Sequence, residues 1–160
     1  MLHGPKPGAS ARAPALPRLF SQVVIPPTVF RELQQPNTPT PVRDWANSLP
    51  NWASVQRPKV INLKLDVDAG ELEAICLAQE IKAAAVLMDD RAGRIAAISC
   101  GLSVIGTVGL LEQAAARGFL DLPQAMERLR QTNARLDPGL IDAALERDKA
   151  RKHRRLDESE

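Results

Sequence analysis

Cysteine and histidine are scarce in this sequence of 160 residues, which contains two of each. Cys76 and Cys100 both lie in apolar, periodic segments, which predicts buried thiols in a reducing cytoplasm. His3 and His153 lie near opposite ends of the chain in polar surroundings. These residues offer neither the ligand spacing of a zinc site nor a Cys–His nucleophile pair, so both classes of site are excluded.

Long hydrophobic runs and phosphate-binding loops are also missing. The longest apolar stretches, such as residues 83–88, fall well short of the roughly 20 residues that span a bilayer, so no membrane partner is expected. The first 15 residues contain Pro5, Pro7 and Pro14 and lack the apolar block of a signal peptide. Neither standard glycine-rich phosphate loop is present. The net charge of +2 does not by itself require a nucleic acid partner.

What the sequence does contain is typical of one soluble globular domain. Hydrophobic residues make up 44% of the chain and charged residues 25%, and the length suits a single core. Residues 1–15 are rich in Pro, Gly and Ala without a period, which predicts a disordered segment. Residues 16–151 are predicted to form the domain, and residues 152–160 a charged tail.

Short apolar runs alternate with helical patterns along this domain. Strands are predicted at residues 23–25, 52–55, 84–88 and 103–105. Helices are predicted from Thr28 to Leu33, over 42–48, from Asp68 through Ile81, over 94–99, from Thr107 until Gly118, over 123–132 and over 138–151. Four of them have a residue suited to cap the N-terminus, namely Thr28, Asp68, Thr107 and Asp137. This alternation predicts an α/β fold with a parallel sheet and helices on its faces.

Two adjacent carboxylates follow the third predicted strand. In parallel sheets ligands gather at the carboxyl ends of the strands, which is where Asp89 and Asp90 lie. Their mutual repulsion is relieved by a cation, and hard oxygen ligands suit magnesium or manganese. In the alternative interpretation, which is favoured when this pair is taken alone, one aspartate caps the next helix and the other is solvated.

Other candidates surround the same strand end. Glu71 stands at the third helical position after Asp68, as in a capping box, yet it could also project towards the pocket of Asp89 and Asp90. Glu32 and Glu73 are most simply surface glutamates, with Glu73 on another helix face. The basic residues Arg91 and Arg94 flank the predicted pocket, where they suit phosphate contacts, although solvated arginines are the ordinary case.

Several strings together resemble a bacterial family of PIN-like proteins. They are residues 23–33 (VVIPPTVFREL), 68–75 (DAGELEAI), 86–94 (VLMDDRAGR) and 101–111 (GLSVIGTVGLL), and the resemblance covers about residues 16–145. It implies a three-layer α/β/α sandwich around a short parallel sheet. It also implies an acidic cluster that binds Mg²⁺ or Mn²⁺ and cleaves RNA or single strands, often as the toxin of a toxin–antitoxin pair. Carried over by position, Glu32, Glu71 and Asp90 are the catalytic and metal-binding acids, with Asp89 beside them.

One feature of that family has no counterpart in this sequence. Its members begin with a central apolar strand that ends in an aspartate, and only residues 16–20 resemble the helix that follows. We therefore expect weak metal binding and low or absent turnover, and a chain that aggregates, borrows a strand or forms two half-sheets. The alternative is a non-catalytic PIN-like module that binds a protein partner or nucleic acid. The implied partners are RNA and an antitoxin protein, with a homo-oligomer as a further alternative.

Overall fold

A computed structural model describes residues 15–62, 64–131 and 137–157, except for the side chain of Leu156. The predicted disorder of residues 1–15 lies outside these residues, apart from Ala15, which begins a helix. The chain divides into two compact units, Met1–Ile105 and Gly106–Glu160. Within the described residues, no helix is both long enough and apolar enough to cross a membrane.

The first unit alternates helices and short strands. Its elements are α1 (Ala15–Leu19), β1 (Val23–Ile25), α2 (Pro27–Leu33), α3 (Thr40–Asn47), β2 (Ala53–Val55), α4 (Ala69–Glu80), β3 (Val86–Leu87), α5 (Arg91–Ser99) and β4 (Val104–Ile105). The predicted strands are thus confirmed, although β3 and β4 are shorter than expected. The described part of this unit is a small α/β fold with parallel strand pairs.

The strands form two separate sheets of two strands each. β1 pairs in parallel with β2, with Val23 opposite Ala53, and β3 pairs in parallel with β4, with Val86 opposite Val104. The sequence led us to expect aggregation, a borrowed strand or two half-sheets. Within the described residues the strands form two half-sheets.

Helix α4 carries the core of the first unit. Its residues 74–78 are all buried, as is typical of a helix surrounded by other elements. Ile75 and Leu77 are fully buried and pack with Val86 and Ala97, and burial of each such side chain contributes about 1.5–3 kcal/mol. This packing fixes the first turn of α4, which carries Glu71.

Both cysteines are free thiols within or beside this core. Cys76 is buried, as predicted, whereas Cys100 is only half-buried because it follows the last turn of α5. The turn after it is completed by Gly101, whose φ of 78° favours glycine.

The second unit consists of three helices in its described part, α6 (Thr107–Ala116), α7 (Leu122–Arg130) and α8 (Pro138–Asp157). They pack around a buried cluster of Val108, Ala115, Leu122, Met126, Ile141 and Ala144. The N-cap of α6 is Gly106 rather than the predicted Thr107. Helix α8 continues past the predicted end at Arg151, into the segment predicted to be a tail. Asp148, which is buried, forms ion pairs with Arg151 and Lys152 along this stretch.

Candidate metal-binding site

The four carboxylates predicted to form a site all line one cleft of the first unit. Its volume is about 190 Å³. The cleft is lined by Val29, Glu32, Asp68, Gly70, Glu71, Ala74, Leu87, Met88, Asp89 and Asp90. Helices α2 and α4 and the end of β3 thus bring Glu32, Glu71 and Asp89–Asp90 to the same place.

Glu32 reaches the cleft from the last turn of α2. A methyl group at Gly70 would lie 3.3 Å from Glu32 Oε1 and 3.2 Å from Val29 Cγ2, so both side chains lie against the first turn of α4. Burial and the neighbouring charges of Asp68 and Glu73 raise the pKa of Glu32, while Arg31 acts in the opposite direction.

Glu71 closes the predicted capping box and also lines the cleft. The capping box is confirmed, because Asp68 Oδ1 accepts the Glu71 N–H at 2.8 Å and Glu71 Oε2 accepts the Asp68 N–H at 3.4 Å. Its Oε1 also lies so close to α5 that a methyl group at Gly93 would be 2.4 Å away. Burial raises the pKa of Glu71, and the charges of Asp68, Asp90 and Glu32 raise it further, while the hydrogen bond from the Asp68 backbone lowers it.

Asp90 caps helix α5, as the alternative interpretation of the aspartate pair predicted. Its Oδ2 accepts the N–H groups of Ala92 at 2.7 Å and Gly93 at 3.2 Å. Helix α5 therefore begins at Arg91, earlier than the predicted start at residue 94, because the aspartate satisfies two free N–H groups of its first turn. Both of these bonds use Oδ2, so neither engages Oδ1. Asp89, just before the cap, is exposed.

The two arginines predicted to contact nucleic acid differ in their surroundings. Arg94 is half-buried, and its Nη1 donates to the carbonyl oxygen of Met88 at 2.9 Å, so it fixes the end of β3. Arg91 is the exposed first residue of α5. Of the two side chains, Arg91 is therefore the more exposed.

Glu73 was wrongly predicted to be a solvated surface residue. Its Oε2 accepts the N–H of Thr28 at 2.8 Å, in a partly buried bond between α4 and α2. The prediction that Thr28 caps α2 is also wrong, because the N-cap is Pro26 and Pro27 is the first helical residue. The two prolines were the sequence signal for this contact. They have no N–H, so the N–H of Thr28 is the first donor of the helix and needs an acceptor.

The donor chemistry of the cleft fits a divalent cation of the magnesium or manganese kind. Carboxylates on three elements provide hard oxygen ligands, and burial together with neighbouring like charges raises the pKa values of Glu32 and Glu71. As placed, no three acidic, histidine or cysteine side chains of the described residues are arranged to hold an ion. Closure on an ion therefore requires rotation of glutamate side chains, whose terminal torsions are soft.

The raised pKa of Glu32 predicts how the fold depends on pH. Because the folded state favours the protonated form, this stabilisation is present below the unfolded pKa near 4.3 and is lost as pH rises through the folded pKa. In metal-free buffer at pH 7, we therefore expect Glu32→Gln to raise the melting temperature, and the difference to shrink towards pH 4. Thermal melts over that range are the measurement, with Glu127→Gln on α7 as the control. A lower melting temperature for Glu32→Gln at pH 7 would contradict the prediction.

Comparisons with known proteins agree with this α/β arrangement. The family DUF3368, described as a PIN domain, matches residues 10–150 of the chain. No curated protein and no solved structure gives a significant match.

Proposed function

The chain belongs to the PIN domain family, and from this membership we propose that it is a metal-dependent ribonuclease. In this proposal Glu32, Glu71 and Asp90 hold a Mg²⁺ or Mn²⁺ ion, with Asp89 beside them. The observation that supports it best is the gathering of these acids in one cleft at the end of β3, where burial and neighbouring charges raise the pKa values of Glu32 and Glu71. Such clustering lowers stability, and it is typical of functional sites.

Each residue has a distinct part in the proposed reaction. A bound cation would activate a water molecule and neutralise charge on the attacked phosphate. Glu32 and Glu71 would provide oxygen ligands from α2 and α4, and so would Asp90, whose Oδ2 accepts two N–H groups of α5. Arg91, which is exposed at the start of α5, would bind a neighbouring phosphate of a single RNA strand.

A second candidate is a non-catalytic PIN-like module that binds a protein partner or nucleic acid. It is favoured by a specific observation, because Glu71 and Asp90 both act in helix capping and the described carboxylates do not converge on one point. The toxin role and the antitoxin partner that the family resemblance implies fit either candidate. Metal binding separates the two.

Cleavage of a mixed single-stranded RNA with Mn²⁺, with Mg²⁺ and with a chelator tests the proposal. We expect slow cleavage at high Mn²⁺, none with the chelator, and loss of cleavage in Glu71→Gln, which keeps a capping oxygen but removes the charge. Glu127→Gln, outside the cleft, is the control. Rapid cleavage in low Mg²⁺ that Glu71→Gln leaves unchanged would disprove the acidic mechanism. Absence of both cleavage and Mn²⁺ binding would favour the non-catalytic module.

A further inference from the structure

Glu73 connects α4 to the helix that carries Glu32. We propose that Glu73 is a positioning residue that holds Glu32 in the acidic cleft, an inference that rests on the function proposed above. Glu73 is half-buried, and its Oε2 accepts the N–H of Thr28 at 2.8 Å across a separation of 45 residues in the sequence.

Helix α2 lacks the means to cap its own N-terminus. Its N-cap is Pro26, which makes no side-chain cap bond, and its first turn contains no acidic residue. Pro26 and Pro27 have no N–H, so Thr28 is the first donor of the helix. A helix normally satisfies such a donor with a side chain close in sequence. Here the acceptor is Glu73 of α4, so the cap also joins the two helices.

The two helices meet at two levels that are one turn apart. Thr28 and Glu32 are four residues apart and lie on one face of α2, while Gly70 and Glu73 are three apart and share a face of α4. Thr28 contacts Glu73, and Glu32 Oε1 lies against Gly70, where a methyl group would be 3.3 Å from it. The Thr28–Glu73 bond therefore fixes both the rotation and the height of Glu32 relative to Glu71.

Loss of this bond leaves α2 beside α4 through apolar contacts such as that of Val29 with Gly70. Apolar contacts are not directional, so the helix gains freedom to rotate and slide. Ligands of a metal ion must be held within about 0.5 Å of their places. Residues that hydrogen-bond a ligand directly typically change metal affinity by about 10–100-fold, and Glu73 acts through the backbone of the helix that carries Glu32, so an effect at the lower end is expected.

The test compares Mn²⁺ affinity by calorimetry in the full chain and in three variants. We expect Glu73→Ala to weaken Mn²⁺ binding by about tenfold or more, and Glu73→Gln, which keeps the acceptor oxygen, to bind nearly as the unaltered chain does. Glu80→Ala is the matched control, because Glu80 also lies on α4 and its Oε2 accepts a backbone N–H, that of Lys59, at 2.7 Å. It should leave Mn²⁺ affinity unchanged.

Hydrogen exchange gives a readout that does not depend on the metal. The amides of α2 should exchange faster in Glu73→Ala but not in Glu80→Ala.

If the unaltered chain binds Mn²⁺ and Glu73→Ala binds it equally well, the positioning role is wrong and the proposed function stands. Equal losses in Glu73→Ala and Glu73→Gln would show that charge acts instead of the hydrogen bond, and would also overturn the role. If the unaltered chain binds no Mn²⁺, both the proposed function and this inference are wrong.

Discussion

Replacement of Asp90 by asparagine is expected to leave the fold intact and to reduce Mn²⁺-dependent RNA cleavage by roughly 100-fold or more. Asparagine is as good an N-cap as aspartate, so its side-chain oxygen should still accept the N–H groups of Ala92 and Gly93. What it lacks is the negative charge. Metal-ion catalysis contributes several kcal/mol, and each 1.36 kcal/mol of barrier corresponds to about tenfold in rate.

Asp90→Ala separates the capping role from the proposed metal role. It should lose cleavage as Asp90→Asn does, and in addition lose about 1 kcal/mol of stability with the cap. Asp121→Asn is the matched control, because Asp121 caps α7 by accepting the N–H of Gln124 at 3.1 Å and lies outside the cleft. Single-turnover cleavage and thermal melting are the measurements. If Asp90→Asn cleaves RNA at the rate of the unaltered chain, Asp90 serves only as a cap and the metal site does not include it.

The features that the sequence predicted well depend on neighbouring residues. The capping box of Asp68 and Glu71 spans three residues, and β1 is a β-branched run that prolines terminate. The start of α5 was predicted at residue 94, too late in the chain, although a cap by one of the two aspartates was already an alternative. An aspartate that follows a strand also satisfies the free N–H groups of the next helix, and that local role decides where the helix begins.

The features that the sequence missed are contacts between distant segments. Glu73 and Thr28 are 45 residues apart, so nothing in the local pattern of α4 shows that Glu73 caps another helix. For Arg94 the sequence offered solvation or a phosphate contact, and its bond to the Met88 carbonyl oxygen, which joins α5 to the end of β3, was not foreseen. Such contacts arise from packing, which a periodic pattern does not specify.

The second large effect is expected at Gly93, which is buried in the first turn of α5. A methyl group there would lie 2.4 Å from Glu71 Oε1 and 2.6 Å from Met88 Sδ, far inside ordinary contact distances. In Gly93→Ala both side chains must therefore move, which is easy for the flexible end of Glu71 but costly for Met88, which is buried. Alanine gains up to about 1 kcal/mol in helix propensity, whereas overpacking costs about 1–3 kcal/mol, so we expect a net loss of stability. Displacement of the Glu71 carboxylate should also weaken Mn²⁺ binding.

Two comparisons show whether Glu71 is the cause of that effect. Gly70→Ala should be milder, because its methyl group would meet no atom closer than 3.2 Å. A double-mutant cycle with Glu71→Ala removes one of the two crowding side chains, so Gly93→Ala should destabilise that background less than the unaltered chain. Equal losses of melting temperature in both backgrounds would assign the strain to Met88 alone. The glycine makes room for a carboxylate whose pKa is raised, first by burial and then by its charged neighbours. Helix α5 therefore accommodates Glu71 at a cost in stability, which an ion bound by that carboxylate would offset.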